Sequence, residues 1–300
     1  MEDKMDILNK AKTGKKERPI KVVQFGEGNF LRGFVDYMID IANEQGKFDG
    51  DIVLIKPIEF GNLDMFHKQD CQYTVSLRGN VNGEAKIINR IVTSVADAVD
   101  TYNEYDKYMG LAEIDTLRFV VSNTTEAGIV YDDTDKFELE PPKTFPGKLT
   151  KFLYHRFETF KGDMSKGLVM LPVELIDDNG IMLKKCVMQL IELWGLGDEF
   201  KKWVDEACVF TSTLVDRIIT GYPRATEKEE WEKLEPECRW TKVEAEAHLI
   251  AGRIRKLMEE GQVTEDGKLR PVRYGDIVIL LRTMSGWSET FVRVLQEEGI

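Results

Sequence analysis

The stretch Val22-Val23-Gln24-Phe25-Gly26-Glu27-Gly28-Asn29-Phe30-Leu31-Arg32-Gly33-Phe34 decides how this chain is read. An apolar run, Ile20 to Phe25, stops at two glycines spaced G-x-G and gives way to helical periodicity in Phe30, Phe34, Met38 and Ile41. The expectation is strand, tight turn, helix. Glycines at such a turn let the backbone approach a ligand, and the N–H groups of the helix start, with the positive end of its dipole, favour a pyrophosphate. The usual pattern G-x-G-x-x-G/A has a small residue where this chain has Leu31, and Gly33 stands two places late. On these residues alone a dinucleotide turn and a plain glycine turn are both open.

Three hundred residues, 42% hydrophobic and 31% charged, are enough for about two ordinary globular domains. A net charge of -12 disfavours nucleic acid and anionic membranes as general partners, though a small anionic substrate needs only a local basic cluster. Cys71, Cys186, Cys208 and Cys238 form no C-x-x-C pair, so neither a disulfide framework nor a zinc site is expected, and a reducing cytoplasm fits. His67, Asp70 and Cys71 are close in sequence but lack a third or fourth ligand, and no metal is assigned. The basic N-terminus has no apolar h-region and reads as a solvated lead-in. No run approaches 18 apolar residues, so a membrane-spanning helix is not expected.

Further strands are expected at Asp51–Ile55, at Tyr73–Leu77 with Ala85–Val92 as a hairpin through Asn82-Gly83, at Arg118–Ser122 and at Gly167–Pro172. Ligands of open α/β sheets lie beyond the carboxyl ends of the strands, which directs attention to Asn123, Thr124 and Glu126, although Thr124-Thr125-Glu126 also suits a locally bonded turn. Near the end of the second strand Glu59 could hold ribose hydroxyls and Lys56 could accept a 2′-phosphate, so spacing leaves NAD and NADP open. Glu174 with Asn179-Gly180 reads either as substrate-side chemistry or as a capped turn. Asp216-Arg217 reads as an ion pair between domains or as part of a site. Helical periodicity from Ile181 onward marks a second, helical region.

Gly-x-Gly-Asn-Phe-x-Arg-Gly-Phe, together with Ser122-Asn123-Thr124-Thr125-Glu126-Ala127-Gly128, Glu174-Leu175-Ile176-Asp177 with Asn179-Gly180, and Thr213 through Arg224, resembles the long-chain polyol and mannitol dehydrogenase family, in particular its tagaturonate reductase branch. The resemblance covers about residues 18 to 230. It implies an α/β Rossmann-type domain over 1–180 and the incomplete start of a helical substrate domain over 181–235. It further implies NAD as cofactor and hydride transfer between NADH and a keto sugar acid. Carried over residue by residue, it places Gly26, Gly28, Asn29, Phe30 and Arg32 at the cofactor with Asn123, Thr124 and Glu126 beside it. Glu174, Asn179, Asp216 and Arg217 become substrate-side candidates, with Glu174 standing where mannitol dehydrogenases carry an oxyanion-holding asparagine.

The family's acid/base motif, Lys-x-x-x-x-Asn-x-x-His, is absent. Asp64, Phe152 and Ala245 stand three places before His67, His155 and His248. Acid/base catalysis needs a group within hydrogen-bond reach of the substrate oxygen, so the catalytic residue is left unassigned and a truncated or fused chain is expected. Residues 236–300 read as a small α/β appendage, a helix over Val243–Glu260, a strand over Asp276–Arg282 and a helix over Ser288–Glu298. Glu244-Ala245-Glu246-Ala247, Tyr274 to Thr283 and Gly299-Ile300 resemble the start of the second motor domain of UvrD-like helicases, in which the arginine matching Arg282 reaches the ATP γ-phosphate. No G-x-x-x-x-G-K-[ST] accompanies it, and nine Lys/Arg against ten Asp/Glu in residues 241–300 give no basic face for DNA. Oligomeric state is open.

Overall fold

The computed structural model describes residues 8–81, 84–124, 128–215, 219, 242–265, 268–279 and 288–300. It divides into two compact units, residues 1–222 and 223–300. The first is built on a six-stranded parallel sheet, β1 (Ile20–Phe25), β2 (Asp51–Lys56), β5 (Val95–Asp100), β6 (Phe119–Ser122), β7 (Val169–Pro172) and β8 (Val209–Phe210). The spatial order is β5-β2-β1-β6-β7-β8. The order in which strands are added therefore reverses between β1 and β6, which pair in parallel with Val23 opposite Val120 and Phe25 opposite Ser122. In doubly wound sheets such a reversal opens a crevice at the carboxyl ends of the strands.

Helices cover both faces because the strands are buried on both. Alternation along β1 sends Val23 and Phe25 to one apolar cluster and Val22 to the other. The chain enters through α1 (Lys10–Thr13); after β1 come α2 (Asn29–Leu31), a π-helical turn Arg32–Asp36 and α3 (Tyr37–Glu44), one continuous helical run. α4 (Asp64–Lys68) precedes β3 (Tyr73–Val81) and β4 (Glu84–Val92), an antiparallel hairpin outside the main sheet; α5 (Tyr105–Gly110), α6 (Phe145–Thr159), α7 (Asn179–Leu193) and α8 (Asp198–Ala207) follow.

Several expectations are corrected. The N-terminal lead-in, described from residue 8, is tied down at two points: the Lys15 side chain is buried 3.3 Å from Asp51, and Arg18 donates to Asp51 at 3.1 Å. β5 was not anticipated, because Asp97 interrupts its apolar pattern and leaves no run to read. α7 and α8, expected to open a separate helical domain, instead pack Leu183, Val187, Ile191, Phe200 and Trp203 into the same cluster as Phe152 and Met170.

The second unit contains α9 (Lys242–Glu260), a hairpin of β9 (Gln262–Glu265) and β10 (Lys268–Pro271), and α10 (Ser288–Glu297). The expected strand from Asp276 does not form over 277–279; a 3₁₀ turn, Tyr274–Asp276, takes its place, held by Arg270 donating to both Asp276 carboxylate oxygens at 2.7 and 2.8 Å. Residues 280–282 of that expectation, Arg282 among them, lie outside the described residues. No helix among the described residues is long and apolar enough to cross a membrane.

Candidate functional site

Three short segments meet at the carboxyl ends of β1, β6 and β7. Gly26 ends β1 with φ 119°, and its N–H donates to Ile55 O at 2.9 Å. A Cβ there would lie 3.0 Å from Asn123 O and 3.2 Å from Leu31, so the first glycine is required by close packing of β6 against the turn. Gly28 differs. It is exposed, caps the helical run with φ -66° and ψ 163°, and a Cβ would meet no heavy atom within 4 Å. Asn29 is exposed beside it, its side-chain oxygen accepting from Arg32, while Phe30 is half-buried against the apolar core.

Arg32 lies over the rings of Phe66 and Tyr73, 5.4 and 5.6 Å from their centroids, with its Nε buried and unpartnered among the described residues. Below it the Tyr73 hydroxyl donates to Asp36 Oδ2 at 2.5 Å. Burial lifts the Asp36 carboxyl to about 7, while the Tyr73 hydroxyl, the Gln24 amide and the Arg32 charge each work the other way. Glu27, between the two glycines, is also raised by burial, with Lys56 and Arg32 opposing.

At β6 and β7 the side chains hold one another. Glu174 is buried, accepting from Ser122 Oγ at 3.1 Å, Thr124 N at 3.1 Å and Thr124 Oγ1 at 3.0 Å. Asn123 Nδ2 donates to Val173 O at 2.8 Å. Asn179 is fully buried at the start of α7, where its amide donates to Glu174 O at 3.1 Å and its oxygen accepts from Thr213 N at 2.9 Å. Asn123, Thr124, Glu174 and Asn179 are thus brought together, with Glu174 and Asn179 spent on protein partners. Glu126, Asp216 and Arg217 lie outside the described residues.

Lys56 is not free for a 2′-phosphate: it is fully buried, 3.0 Å from Asp100, and donates to Ile58 O and Glu59 O at 2.6 and 3.2 Å. His67 Nε2 lies 2.9 Å from Ala98 O and His155 Nε2 2.8 Å from Glu113 Oε1. Among the described residues no cluster of His, Cys, Asp and Glu could hold a metal ion. Sequence reasoning missed Gln24, Asp36 and Tyr73. Gln24, a polar residue between the apolar Val23 and Phe25, was the available signal.

Residues 20–250 match the mannitol dehydrogenase Rossmann domain family. Altronate oxidoreductase of Phocaeicola vulgatus is 48% identical over 222 residues, which are 73% of this chain and 46% of that protein. The Bacillus subtilis altronate oxidoreductase is 46% identical over 205 residues, 68% of this chain and 43% of its own. This chain spans about half the length of the curated relatives it matches. Two solved structures share the fold. D-sorbitol dehydrogenase in substrate-free form superposes with a TM-score of 0.59 at 20% identity over 75% of this chain and 50% of that one. Pseudomonas fluorescens mannitol 2-dehydrogenase, in ternary complex with NAD and D-mannitol, gives 0.59 at 18% identity over 71% of this chain and 47% of that one.

Proposed function

Because the chain belongs to the mannitol dehydrogenase family, we propose that its glycine turn holds NAD or NADH for reversible hydride transfer with a keto sugar acid, the tagaturonate/altronate pair. The observation that carries the reading is Gly28. Nothing in the surrounding fold requires a glycine there, yet the position opens on free space at the start of a helical run and at the sheet's reversal point. Those are the properties a pyrophosphate needs from its turn. The substrate class follows from the relatives' names.

When bound, NADH would supply the hydride. The chain's own residues then have separable tasks. Gly26 lets β6 approach the turn, Gly28 and Asn29 present backbone N–H groups, and Arg32 adds positive charge beside them. Asn123 and Thr124 face the crevice at the next strand end, clamped by Glu174 and Val173 O. This geometry makes Glu174 a positioning residue, with Asn179 securing the loop before β7's helix; Asp216, Arg217 and Glu126 are retained as contacts on family resemblance alone. No residue is assigned the proton transfer. The helicase-like reading of residues 241–300 has no observation in its favour, since 277–279 form no strand and the family match runs through residue 250.

A fluorescence titration of the purified chain with NADH, with NADPH and ATP in parallel, tests this. Saturable NADH binding that Gly28→Val abolishes at unchanged melting temperature is the expected result. Equal binding by the variant would sink the turn as the cofactor site.

A further inference from the structure

Lys56 is the last residue of β2 and is fully buried, an uncommon place for an ammonium. Its three N–H donors each have an acceptor: Asp100 Oδ2 at 3.0 Å, Ile58 O at 2.6 Å and Glu59 O at 3.2 Å. Asp100 ends the neighbouring strand β5 and accepts in turn from Tyr102 N and from Asn103 Nδ2, both at 2.9 Å. The Lys56 carbonyl accepts from Thr101 N at 3.3 Å and Thr101 Oγ1 at 3.0 Å, while Ile55 O, one residue earlier, accepts from Gly26 N. Ile55 and Lys56 therefore join the glycine turn, the loop after β2 and the turn after β5.

A buried ion pair is often no more stabilising than apolar side chains of the same volume. What this one adds is direction. With the carbonyls of Ile58 and Glu59 drawn onto Nζ, the side chains of Ile58, Glu59 and Phe60 are left exposed, Phe60 at 80%. The Tyr102 hydroxyl is raised by burial first and by the Glu59 charge second, which puts that carboxylate near the turn after β5. An exposed acid flanked by exposed apolar side chains, at the end of the strand beside the glycine turn, suits a ribose and its flat base.

We propose that Lys56, paired with Asp100, is a positioning residue for the cofactor: it holds the loop after β2 so that the Glu59 carboxylate takes the ribose hydroxyls of NAD and repels the 2′-phosphate of NADP. The strand end here carries a lysine whose charge is spent within the fold, and the acid is set three residues further on. A 2′-phosphate thus meets Glu59 without the Lys56 ammonium to offset it, because every donor of that ammonium is taken.

The inference rests on the dinucleotide reading, and its test separates the two. NADH and NADPH are titrated in parallel, with melting curves, on the unaltered chain, on Glu59→Ala and on the double variant Lys56→Met with Asp100→Asn. The double variant removes both charges together and keeps an acceptor for Tyr102 N, so no buried charge is stranded. The unaltered chain is expected to prefer NADH by roughly tenfold or more, the effect of setting a phosphate against a like charge. Both variants should bring the two affinities close to equal, one by losing the acid and the other by releasing it. A merely structural pair would lower the melting temperature and leave the preference as it was. If the double variant does not fold, Lys56→Gln replaces it, since its shorter amide brings two donors to three acceptors. An unchanged preference in the folded lysine variant or in Glu59→Ala overturns the positioning role, as does equal affinity for NADH and NADPH in the unaltered chain. No NADH binding by the unaltered chain overturns the dinucleotide reading and this inference with it.

Discussion

At Gly26 a side chain has nowhere to go, with φ 119° and the Asn123 carbonyl 3.0 Å from an added Cβ, whereas at Gly28 the backbone is extended and the space is empty. Gly26→Ala is therefore expected to destabilise the chain by about 1–3 kcal/mol, the cost of holding an L residue in a region reserved for glycine. Gly28→Ala should change stability by less than about 1 kcal/mol, since only an N-cap preference is at stake. Urea denaturation of the two variants checks this, and equal losses would contradict it. Both glycines were legible in the sequence, but the difference between them was not, because it depends on Asn123, just past the end of β6 and far along the chain. Glu174 makes the same point. Its three donors, Ser122 Oγ, Thr124 N and Thr124 Oγ1, come from a strand end that sequence reading had already marked, without any signal that the two would meet. Glu174→Ala should cost about 2–4 kcal/mol by leaving buried donors unmet. Glu174→Gln should recover most of that, because the Ser122 hydroxyl can rotate to accept from the new amide. A Gln variant as unstable as the Ala variant in thermal melts would argue against the clamp.

Among the elements, those with long apolar runs or helical periodicity were readable: β1, β2, β6 and β7 emerge from buried runs, α6 and α7 from their spacing, and the β3–β4 hairpin from Asn82-Gly83. β5 and β8 were not, since one carries an acid in its middle and the other is two residues long, and only their neighbours define them as strands. The π-helical turn is equally silent in sequence. It holds Asp36 fully buried, where its carboxyl accepts from the Tyr73 hydroxyl, and such bulges recur at functional sites. How α6 is fixed is likewise invisible in one dimension. Arg156 is fully buried and donates to the carbonyls of Ala112, Ile114, Leu117 and Lys166 at 2.8 to 3.3 Å, stitching α6 to the segments that lead into β6 and β7. Burial lowers its guanidinium to about 10, so it remains charged at neutral pH and needs all of these acceptors. Arg156→Leu is expected to cost about 3 kcal/mol or more through the stranded carbonyls. Arg156→Lys should rescue little, because an ammonium cannot span acceptors that a planar fork reaches together. A urea midpoint for Arg156→Lys close to that of the unaltered chain would refute this account.

For the whole molecule, the apolar clusters on the two faces of the sheet lie within the first 222 residues, and the division into compact units falls between Tyr222 and Pro223. Both observations concern what a domain needs to stand by itself, a core of its own and a boundary few contacts cross. Every cofactor candidate also lies before that boundary. A chain ending at Tyr222 is therefore expected to fold cooperatively and to bind NADH with the same affinity as the 300-residue chain. Calorimetry and the fluorescence titration measure the two properties separately. A shortened chain that folds but binds NADH tenfold more weakly would place part of the dinucleotide site after residue 222. One that does not fold would mean the first unit depends on the second for stability, in spite of its separate cores. If folding and binding both survive, adding tagaturonate becomes informative. NADH bound without being oxidised would leave the proposed hydride transfer without support, although the binding reading would stand. Steady turnover would instead require a proton donor among the residues already at the strand ends, and would send the search back to Glu27, Thr124 and Glu174.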